Sequence, residues 1–251
     1  MWYNTEVEYK AKEILMEKTI GIVGGMGPLA TCDLFHKIID VTEAVSDQEH
    51  ARVCIDSNTE IPDRTKAILE GGTDPLPQMI KSARLLEQMG ADVLIMPCNT
   101  AHYFYERVSQ AVKVPFLNML DETAEEIARR GIKKVGLLAT SGTIQSGVYK
   151  KAFDKKNIEM VTPSEDKQKE VMSIIYDGVK AGNYSKSPAG FLDAVKELSD
   201  AGAQTMVLGC TELPVAFDMY HLDFAHVDPT LILAKRAVEF LGLPLKKEYQ
   251  L

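Results

Sequence analysis

The sequence predicts an α/β fold of two pseudo-symmetric lobes, each a mostly parallel sheet flanked by helices. Short apolar runs of strand length alternate along the chain with longer runs of helical apolar spacing. This is the order in which parallel strands and their crossover helices occur. A strand-and-loop pattern also occurs twice, once in each half of the chain. At 251 residues the chain is long enough for two such lobes.

Three strands and two helices are predicted in the first half of the chain. The strands are short apolar runs, namely residues 19–23, 53–55 and 93–96. The helices are longer runs with apolar side chains in helical spacing, namely residues 30–45 and 79–89. In the second helix we expect Leu85, Leu86 and Met89 to share the buried face, and Gly90 to end the helix.

Two segments of the first half recur in the second half, in the same order. Residues 19–25 read TIGIVGG, and the segment 115 positions later reads KVGLLAT. Residues 90–99 read GADVLIMPCN, and the segment 112 positions later reads GAQTMVLGCT. Buried strands resemble one another, but that does not explain a cysteine at the same step in both copies. The repeat indicates an internal duplication in which Cys98 and Cys210 are equivalent.

The repeat also predicts how the chain is divided. We expect a first lobe over residues 17–117 and a second lobe over residues 118–225. Residues 226–251 contain a predicted helix over residues 231–240, which we expect to pack back on the first lobe and complete it. Residues 1–16 are expected to be an N-terminal extension that function does not require.

Composition and charge argue against several classes of protein. The net charge is −8 and the basic residues are scattered, which disfavours nucleic acid or an anionic membrane as a partner. No apolar run approaches the ~20 residues of a membrane span, and the charged N-terminal segment is unlike a secretory signal. The sequence therefore predicts a cytoplasmic location, where free thiols persist. The four cysteines have no zinc-site spacing, so no metal is expected.

The loop after the first strand fits a dinucleotide-binding pattern only formally. Gly25, Gly27 and Ala30 have the required spacing, which alone is a weak signal. Pro28 removes a backbone donor where a pyrophosphate would bind, and no acidic residue ends a strand about 20 residues further on. We therefore expect no bound dinucleotide.

Cys98 and Cys210 each come at the end of a buried strand. Ligands of open α/β sheets bind beyond the carboxyl ends of the strands, so both thiols are expected in one cleft between the lobes. Two thiols on opposite sides of one molecule can remove an α-proton from one face and deliver a proton to the other, as racemisation requires. Cys32 and Cys54 are expected to be buried and inert, as single cysteines usually are.

Polar residues follow both cysteines. Their hydroxyls and amide, with the free N–H groups of the next helix, can hold a carboxylate and lower the pKa of a thiol. These residues are Asn99 and Thr100 after the first cysteine, and Thr211 and Glu212 after the second. Glu212 is a candidate for tuning Cys210, and His102 is expected at the start of the helix after Cys98.

Three motifs make the sequence resemble the aspartate/glutamate racemase superfamily. They are GGMGPLAT at residues 24–31, PCNTAH at residues 97–102 and GCTELP at residues 209–214. The resemblance runs from about Lys18 to the C-terminus. It implies a two-lobed, commonly dimeric, cofactor-independent amino-acid racemase in which the two cysteines are the proton donor and acceptor.

The resemblance is strongest to the aspartate racemase branch. The first loop lacks the acid of the Asp-Ser-Gly pattern of glutamate racemases, and Glu212 stands where they have a histidine. The branch also implies Arg64, in an IPDR motif, and Lys180, in a VKAG motif, as cationic anchors for two carboxylates. The remaining residues expected to approach the substrate are Met26, Asn58 and Thr143, the last because the family implies it.

The resemblance thus predicts a homodimeric enzyme that interconverts L- and D-aspartate by a two-cysteine mechanism. Three alternatives stay open at this stage. The substrate range can include glutamate or other amino acids, since both cations favour a dicarboxylate without selecting its length. The same paired cysteines fit a hydantoin racemase or a maleate isomerase. A non-catalytic amino-acid sensor can also retain this fold.

Overall fold

The computed structural model describes residues 18–183 and 185–250, so the predicted extension over residues 1–16 lies outside the described residues. The fold is α/β, as predicted, with two parallel sheets flanked by helices. The strands are β1 (Thr19–Gly24), β2 (Arg52–Ser57), β3 (Val93–Ile95), β4 (Lys134–Ala139), β5 (Glu159–Val161), β6 (Thr205–Gly209) and β7 (His226–Val227). The α-helices are α1 (Pro28–Val41), α2 (Arg64–Leu69), α3 (Leu76–Gln88), α4 (Tyr105–Ser109), α5 (Met119–Arg129), α6 (Ser141–Gln145), α7 (Val148–Asp154), α8 (Glu165–Ser173), α9 (Ala189–Asp200), α10 (Glu212–Tyr220) and α11 (Pro229–Leu241). Four shorter turns complete the order: 3₁₀ helices at Asp47–Glu49, Thr100–Phe104 and Lys247–Tyr249, and a π-helical turn at Ile174–Lys180.

The strand pairing repeats between the two sheets. The first sheet has the order β2-β1-β3 and the second has the order β5-β4-β6-β7, and all of these pairs are parallel. Ile20 of β1 pairs with Val93 of β3, and Val135 of β4 pairs with Thr205 of β6. These positions have the same offsets as the repeated sequence segments. The duplication read from the sequence is therefore also present in the register of the sheets.

Matching glycines show why the two central strands are alike. β1 and β4 are almost entirely buried, because helices cover both faces of a parallel sheet. A Cβ atom on Gly21 would lie 2.5 Å from Leu94, and one on Gly136 would lie 2.6 Å from Met206. Each glycine lets a side chain of the neighbouring strand pack over the central strand. The same close approach of neighbouring strands therefore occurs in both halves of the chain.

The buried face of α3 differs from the one expected. Leu86 is buried, but Leu85 is 43% exposed and Met89 is 50% exposed. The helix instead buries Met79, Ser82, Ala83 and Leu86, which lie three and four residues apart. Leu85 follows a similar apolar rhythm, but one residue of a helix turns about 100° from the next. The position of the sheet, and not the apolar rhythm alone, decides which of these side chains is buried.

The C-terminal segment connects the two halves. β7 pairs with β6 of the second sheet, while α11 packs against α1 and α5. Asp228 caps the N-terminus of α11, accepting from the N–H groups of Thr230 and Leu231. Lys37 of α1 lies 2.6 Å from both Asp33 and Asp228. Burial opposes the charge of Lys37, but the two carboxylates outweigh it and raise its pKa.

The carboxyl ends of β1, β3, β4 and β6 all carry loops that meet between the sheets. Among the helices that the structure describes, none combines the length and the apolar character of a membrane span.

Candidate active site

A small cavity lies where these four loops meet. Helix α2 and the π-helical turn Ile174–Lys180 supply its remaining walls. Its free volume is about 20 Å³, which is room for about one water molecule. The residues that line it are Met26, Asp63, Arg64, Thr65, Cys98, Asn99, Thr100, Thr140, Tyr176, Lys180, Cys210, Thr211 and Glu212. Nine of the eleven residues singled out from the sequence are in this set.

Both candidate cysteines line this one cavity, and they reach it from different sheets. Cys98 follows β3 and is 7% exposed, and Cys210 follows β6 and is 6% exposed. The N–H of Cys98 donates to the carbonyl of Met96, 2.9 Å away, in the turn that leads out of β3. Cys32 is exposed on α1, contrary to expectation, and Cys54 is half-buried in β2; neither lines the cavity.

Cys210 is held as a protonated thiol. Its Sγ donates to Oε2 of Glu212 at 2.9 Å, and the ammonium of Lys180 donates to Oε1 of the same carboxylate at 2.5 Å. Burial raises the pKa of Cys210 well above its ordinary value, and the Glu212 charge raises it further, although Lys180 opposes this. The sequence offered polar residues that can lower a thiol pKa, and Glu212 as the candidate for tuning Cys210. At Cys210 the carboxylate and the dry surroundings outweigh the nearby cation, so its pKa is raised.

Cys98 lies beside a cation. The Arg64 guanidinium is anchored by Nη1, which donates to the carbonyls of Ile61 at 3.2 Å and Pro62 at 2.9 Å. Burial disfavours the charged guanidinium, but the Cys98 sulfur and Asp63 outweigh it and raise the pKa of Arg64. Asp63 also caps α2 by accepting from the N–H of Lys66. The two thiols therefore have opposite neighbours, a guanidinium for Cys98 and a carboxylate for Cys210.

Two buried donors at the cavity have no acceptor among the described residues. They are Nδ2 of Asn99 and Nε of Arg64. The other end of the Asn99 amide is occupied, because its Oδ1 accepts from the hydroxyl of Tyr149 at 2.5 Å. A buried donor without an acceptor is costly, and such exceptions call for an explanation. A carboxylate in the cavity would supply acceptors to both donors.

Three threonine hydroxyls join the two halves of the chain at the cavity wall. Thr100 lies 3.0 Å from Thr140 and 2.8 Å from Thr143, and the latter two are 3.1 Å apart, all between side-chain oxygens. Thr100 and Thr140 line the cavity, but Thr143 does not and is fully buried. Thr143, expected from the resemblance to approach the substrate, therefore supports the wall from behind.

Asn58 also lies outside the cavity lining. Its amide nitrogen donates to Gln78 at 3.3 Å and to Ser82 at 3.0 Å, both on α3. Its backbone lies under the loop of Met26, where Gly25 has a φ of +81°. A Cβ atom on Gly25 would be 2.3 Å from the nitrogen of Asn58, so only glycine fits there. Asn58 thus supports the loop that carries Met26.

Sequence reasoning did not single out four lining residues, Asp63, Thr65, Thr140 and Tyr176. Tyr176 lies four residues before Lys180 in the π-helical turn, and the Lys180 ammonium is 5.7 Å from the centre of its ring. The helical spacing from Lys180 was the signal that could have found Tyr176, whereas Thr65 directly follows Arg64. π-Helical turns occur often at functional sites, where they place side chains that a regular helix would not.

His102 lies behind Cys98 and not in the cavity. Its Nδ1 contacts the carbonyl of Cys98 at 2.8 Å, and the N–H of Met119 donates to its Nε2 at 3.2 Å. Because Nε2 accepts, the ring proton is on Nδ1 and is donated to Cys98. Burial lowers the pKa of His102 to about 4. The histidine is therefore a neutral bridge between the Cys98 loop and the start of α5. Within residues 18–183 and 185–250, no group of three or more His, Cys, Asp or Glu is placed to hold a metal ion.

Comparison with known proteins gives consistent matches over most of the chain. The family described as Asp/Glu/Hydantoin racemase matches residues 23–237. A broad specificity amino-acid racemase, RacX of Bacillus subtilis strain 168, is 28% identical over 232 residues, which is 87% of this chain and 96% of that protein. The structure of Picrophilus torridus aspartate racemase matches with a TM-score of 0.83 and 34% identity, over 92% of this chain and 97% of that one. An aspartate racemase homologue from Pyrococcus horikoshii OT3 matches with a TM-score of 0.72 and 28% identity, over 90% and 99% of the two chains.

Proposed function

The chain belongs to the Asp/Glu/hydantoin racemase family and is a racemase, and we propose that it interconverts L- and D-aspartate with two cysteines and no cofactor. The observation that carries this proposal is one cavity lined by two buried cysteines at repeat-related positions, with Arg64 and Lys180 lining the same cavity. Two thiols and two cations are the groups that α-proton transfer on a dicarboxylate needs.

The proposed resting state is asymmetric. We assign Cys98 the role of the base, since the Arg64 guanidinium beside its sulfur can act as the counter-ion of a thiolate. Cys210 is the thiol, because it donates to the Glu212 carboxylate. In the first half of the reaction Cys98 removes the α-proton and becomes a thiol. Cys210 then gives its proton to the opposite face of the carbanion and becomes a thiolate, so that proton number is conserved.

In this proposal the Glu212–Lys180 pair accommodates the state in which Cys210 is the thiolate. A Cys210 thiolate beside the Glu212 carboxylate would be repelled, and the Lys180 ammonium is the cation close enough to offset that repulsion. In the reverse reaction Cys210 is the base and Cys98 the acid. The enzyme then returns to its resting state when Cys98 has given up its proton and Cys210 holds one.

Substrate carboxylates are proposed to satisfy the unpartnered donors. Nε of Arg64 and Nδ2 of Asn99 are available to one carboxylate, and the Lys180 ammonium, which has further N–H donors besides the one to Glu212, is available to the other. A cavity of about 20 Å³ is smaller than aspartate, so the walls must separate for the substrate to enter. The similarity to an aspartate racemase over nearly the whole chain supports the choice of aspartate.

The test is exchange of the α-proton in heavy water, followed by NMR for L- and D-aspartate separately. We expect exchange and racemisation without added cofactor, and loss of racemisation in Cys98→Ala and in Cys210→Ala. A variant with one cysteine is expected to exchange the proton of one enantiomer only. Cys32→Ala is the matched control, because Cys32 is an exposed thiol on α1. Racemisation that persists in the Cys98/Cys210 double variant would refute the mechanism.

A second candidate is a racemase of broad amino-acid specificity, favoured by the similarity to RacX over 87% of the chain. The same exchange assay on a panel of amino acids separates the two. Aspartate specificity predicts that glutamate, alanine and lysine exchange at least tenfold more slowly.

We also propose the assembly and organisation expected from the sequence. The enzyme is a cytoplasmic homodimer, with a first lobe over residues 17–117 completed by residues 226–251, a second lobe over residues 118–225 and a dispensable segment over residues 1–16. Light scattering after gel filtration tests the dimer. A chain that begins at Met16 and folds but does not turn over would contradict the last assignment.

A further inference from the structure

Tyr149 makes a polar contact across the two halves of the molecule. It belongs to α7, in the half that forms the second sheet, and its side chain is fully buried in an apolar cluster with Phe153. Its hydroxyl donates to Oδ1 of Asn99, which directly follows Cys98. Burial raises the pKa of Tyr149 well above its ordinary value, so the hydroxyl remains a donor throughout the neutral range.

The contact occupies the acceptor end of the amide of Asn99, a residue that lines the cavity. An amide presents an acceptor at one end and a donor at the other, and a half-turn exchanges them. Because Oδ1 is held by Tyr149, the donor Nδ2 is the end left unpartnered, and it is buried and without an acceptor among the described residues. If the Tyr149 hydroxyl were absent, the amide could rotate and present its oxygen to the cavity. An oxygen at that point would repel an anionic ligand.

We propose that Tyr149 is a positioning residue, whose hydroxyl fixes the Asn99 amide so that its N–H group meets a carboxylate of the substrate. The inference rests on the proposed function for the identity of that carboxylate. In this inference the Asn99 donor next to Cys98 depends on Tyr149, which belongs to the half of the chain that carries Cys210. Thr140 and Thr143 hold Thr100 in the same way, so both residues after Cys98 are fixed from across the molecule.

The experiment is a double-mutant cycle of Tyr149→Phe and Asn99→Ala. Each variant is measured for kcat and KM with aspartate, and for the Kd of succinate, a dicarboxylate without an α-amino group. Tyr149→Phe keeps the buried ring, so its thermal midpoint checks that the fold is intact. We expect a loss of roughly tenfold in kcat/KM, mainly through KM, and a similar loss in succinate affinity.

The cycle distinguishes positioning from a structural role. If Tyr149 acts through Asn99, adding Tyr149→Phe to Asn99→Ala causes no further loss. Multiplicative losses would overturn the inference, as would an unchanged kcat/KM in Tyr149→Phe. Tyr105→Phe is the matched control, because that hydroxyl donates to the backbone carbonyl of Phe116 and does not face the cavity. It is expected to leave kcat/KM unchanged.

Succinate separates this inference from the proposed function. If the wild-type enzyme does not exchange the α-proton of aspartate, the proposed function fails whatever the variants do. In that case, a weaker succinate complex in Tyr149→Phe, with no further loss in the double variant, still supports the positioning role. If the wild type racemises aspartate and Tyr149→Phe equals it in both assays, only the positioning role is refuted.

Discussion

Replacing His102 by glutamine is expected to flatten the pH dependence of the free energy of unfolding below neutral pH. His102 is buried between the Cys98 carbonyl and the Met119 N–H group. Protonation would place a donor on Nε2, where an acceptor is needed, and a charge in an apolar environment. The folded protein therefore resists protonation of this residue, whereas the unfolded chain does not.

The magnitude follows from the two pKa values. Burial lowers the pKa of His102 to about 4, against an ordinary value of 6.5. Because the folded value is the lower one, the unfolded chain binds the proton first. Stability is full above the unfolded pKa and is lost as the pH falls from 6.5 toward 4. At about pH 4.5 the loss amounts to about 2.5 kcal/mol relative to neutral pH.

Urea unfolding followed by circular dichroism at about pH 7.5 and about pH 4.5 measures this loss. The wild type is expected to lose about 2.5 kcal/mol more than His102→Gln between the two conditions. His36→Gln is the matched control, because the His36 side chain is 73% exposed and should leave the wild-type slope intact. Equal pH dependence in the wild type and in His102→Gln would refute the reasoning about this buried ring.

Three further predictions concern the cavity walls. In Glu212→Gln, burial still raises the pKa of Cys210 but the carboxylate no longer does, so iodoacetamide should alkylate Cys210 about tenfold faster by peptide mass spectrometry; an unchanged rate would contradict the assigned pairing. In Gly142→Ala, the new Cβ would lie 2.7 Å from Oγ1 and 3.0 Å from Cα of Thr65, so we expect about 1–3 kcal/mol of destabilisation in urea and a higher KM; a wild-type KM would argue against this contact. Tyr176 lines both the active-site cavity and a neighbouring cavity of about 560 Å³. Removing its ring in Tyr176→Ala should make room for a longer substrate and raise glutamate turnover several-fold relative to aspartate turnover, whereas Tyr176→Phe should not. An equal ratio of glutamate to aspartate turnover in the two variants would show that the Tyr176 ring does not limit substrate length.

Much of the fold could be predicted because its signals are local. Buried parallel strands read as continuous apolar runs, and the strands expected at residues 19–23, 53–55 and 93–96 lie where β1, β2 and β3 are found. The buried face of α3 was assigned incorrectly, because Leu85 and Leu86 are both apolar and only the packing partner separates them. Local periodicity does not contain the position of that partner.

For the candidate site, too, local signals could be predicted from the sequence and spatial distances could not. Cys98 and Cys210 could be predicted to share a cavity, because equivalent strand ends in a duplicated fold meet at one place. Which cysteine is held as the thiol could not be decided from the sequence, because it depends on the distances from the Cys210 Sγ to Glu212 and from Glu212 to Lys180, which is 32 positions away in the chain. Asn58 was expected near the substrate, but its amide is occupied by α3.

By itself, the sequence determined the elements that depend on neighbours in the chain. These are the alternation of strands and helices, the duplication, and the two thiols that follow repeated strands. Tertiary structure alone decided which thiol faces a guanidinium, which faces a carboxylate, and that Tyr149 reaches Asn99 across 50 positions. The physical reason is that hydrogen bonding and desolvation depend on distances of a few ångströms in space. Sequence spacing does not record those distances until the chain has folded.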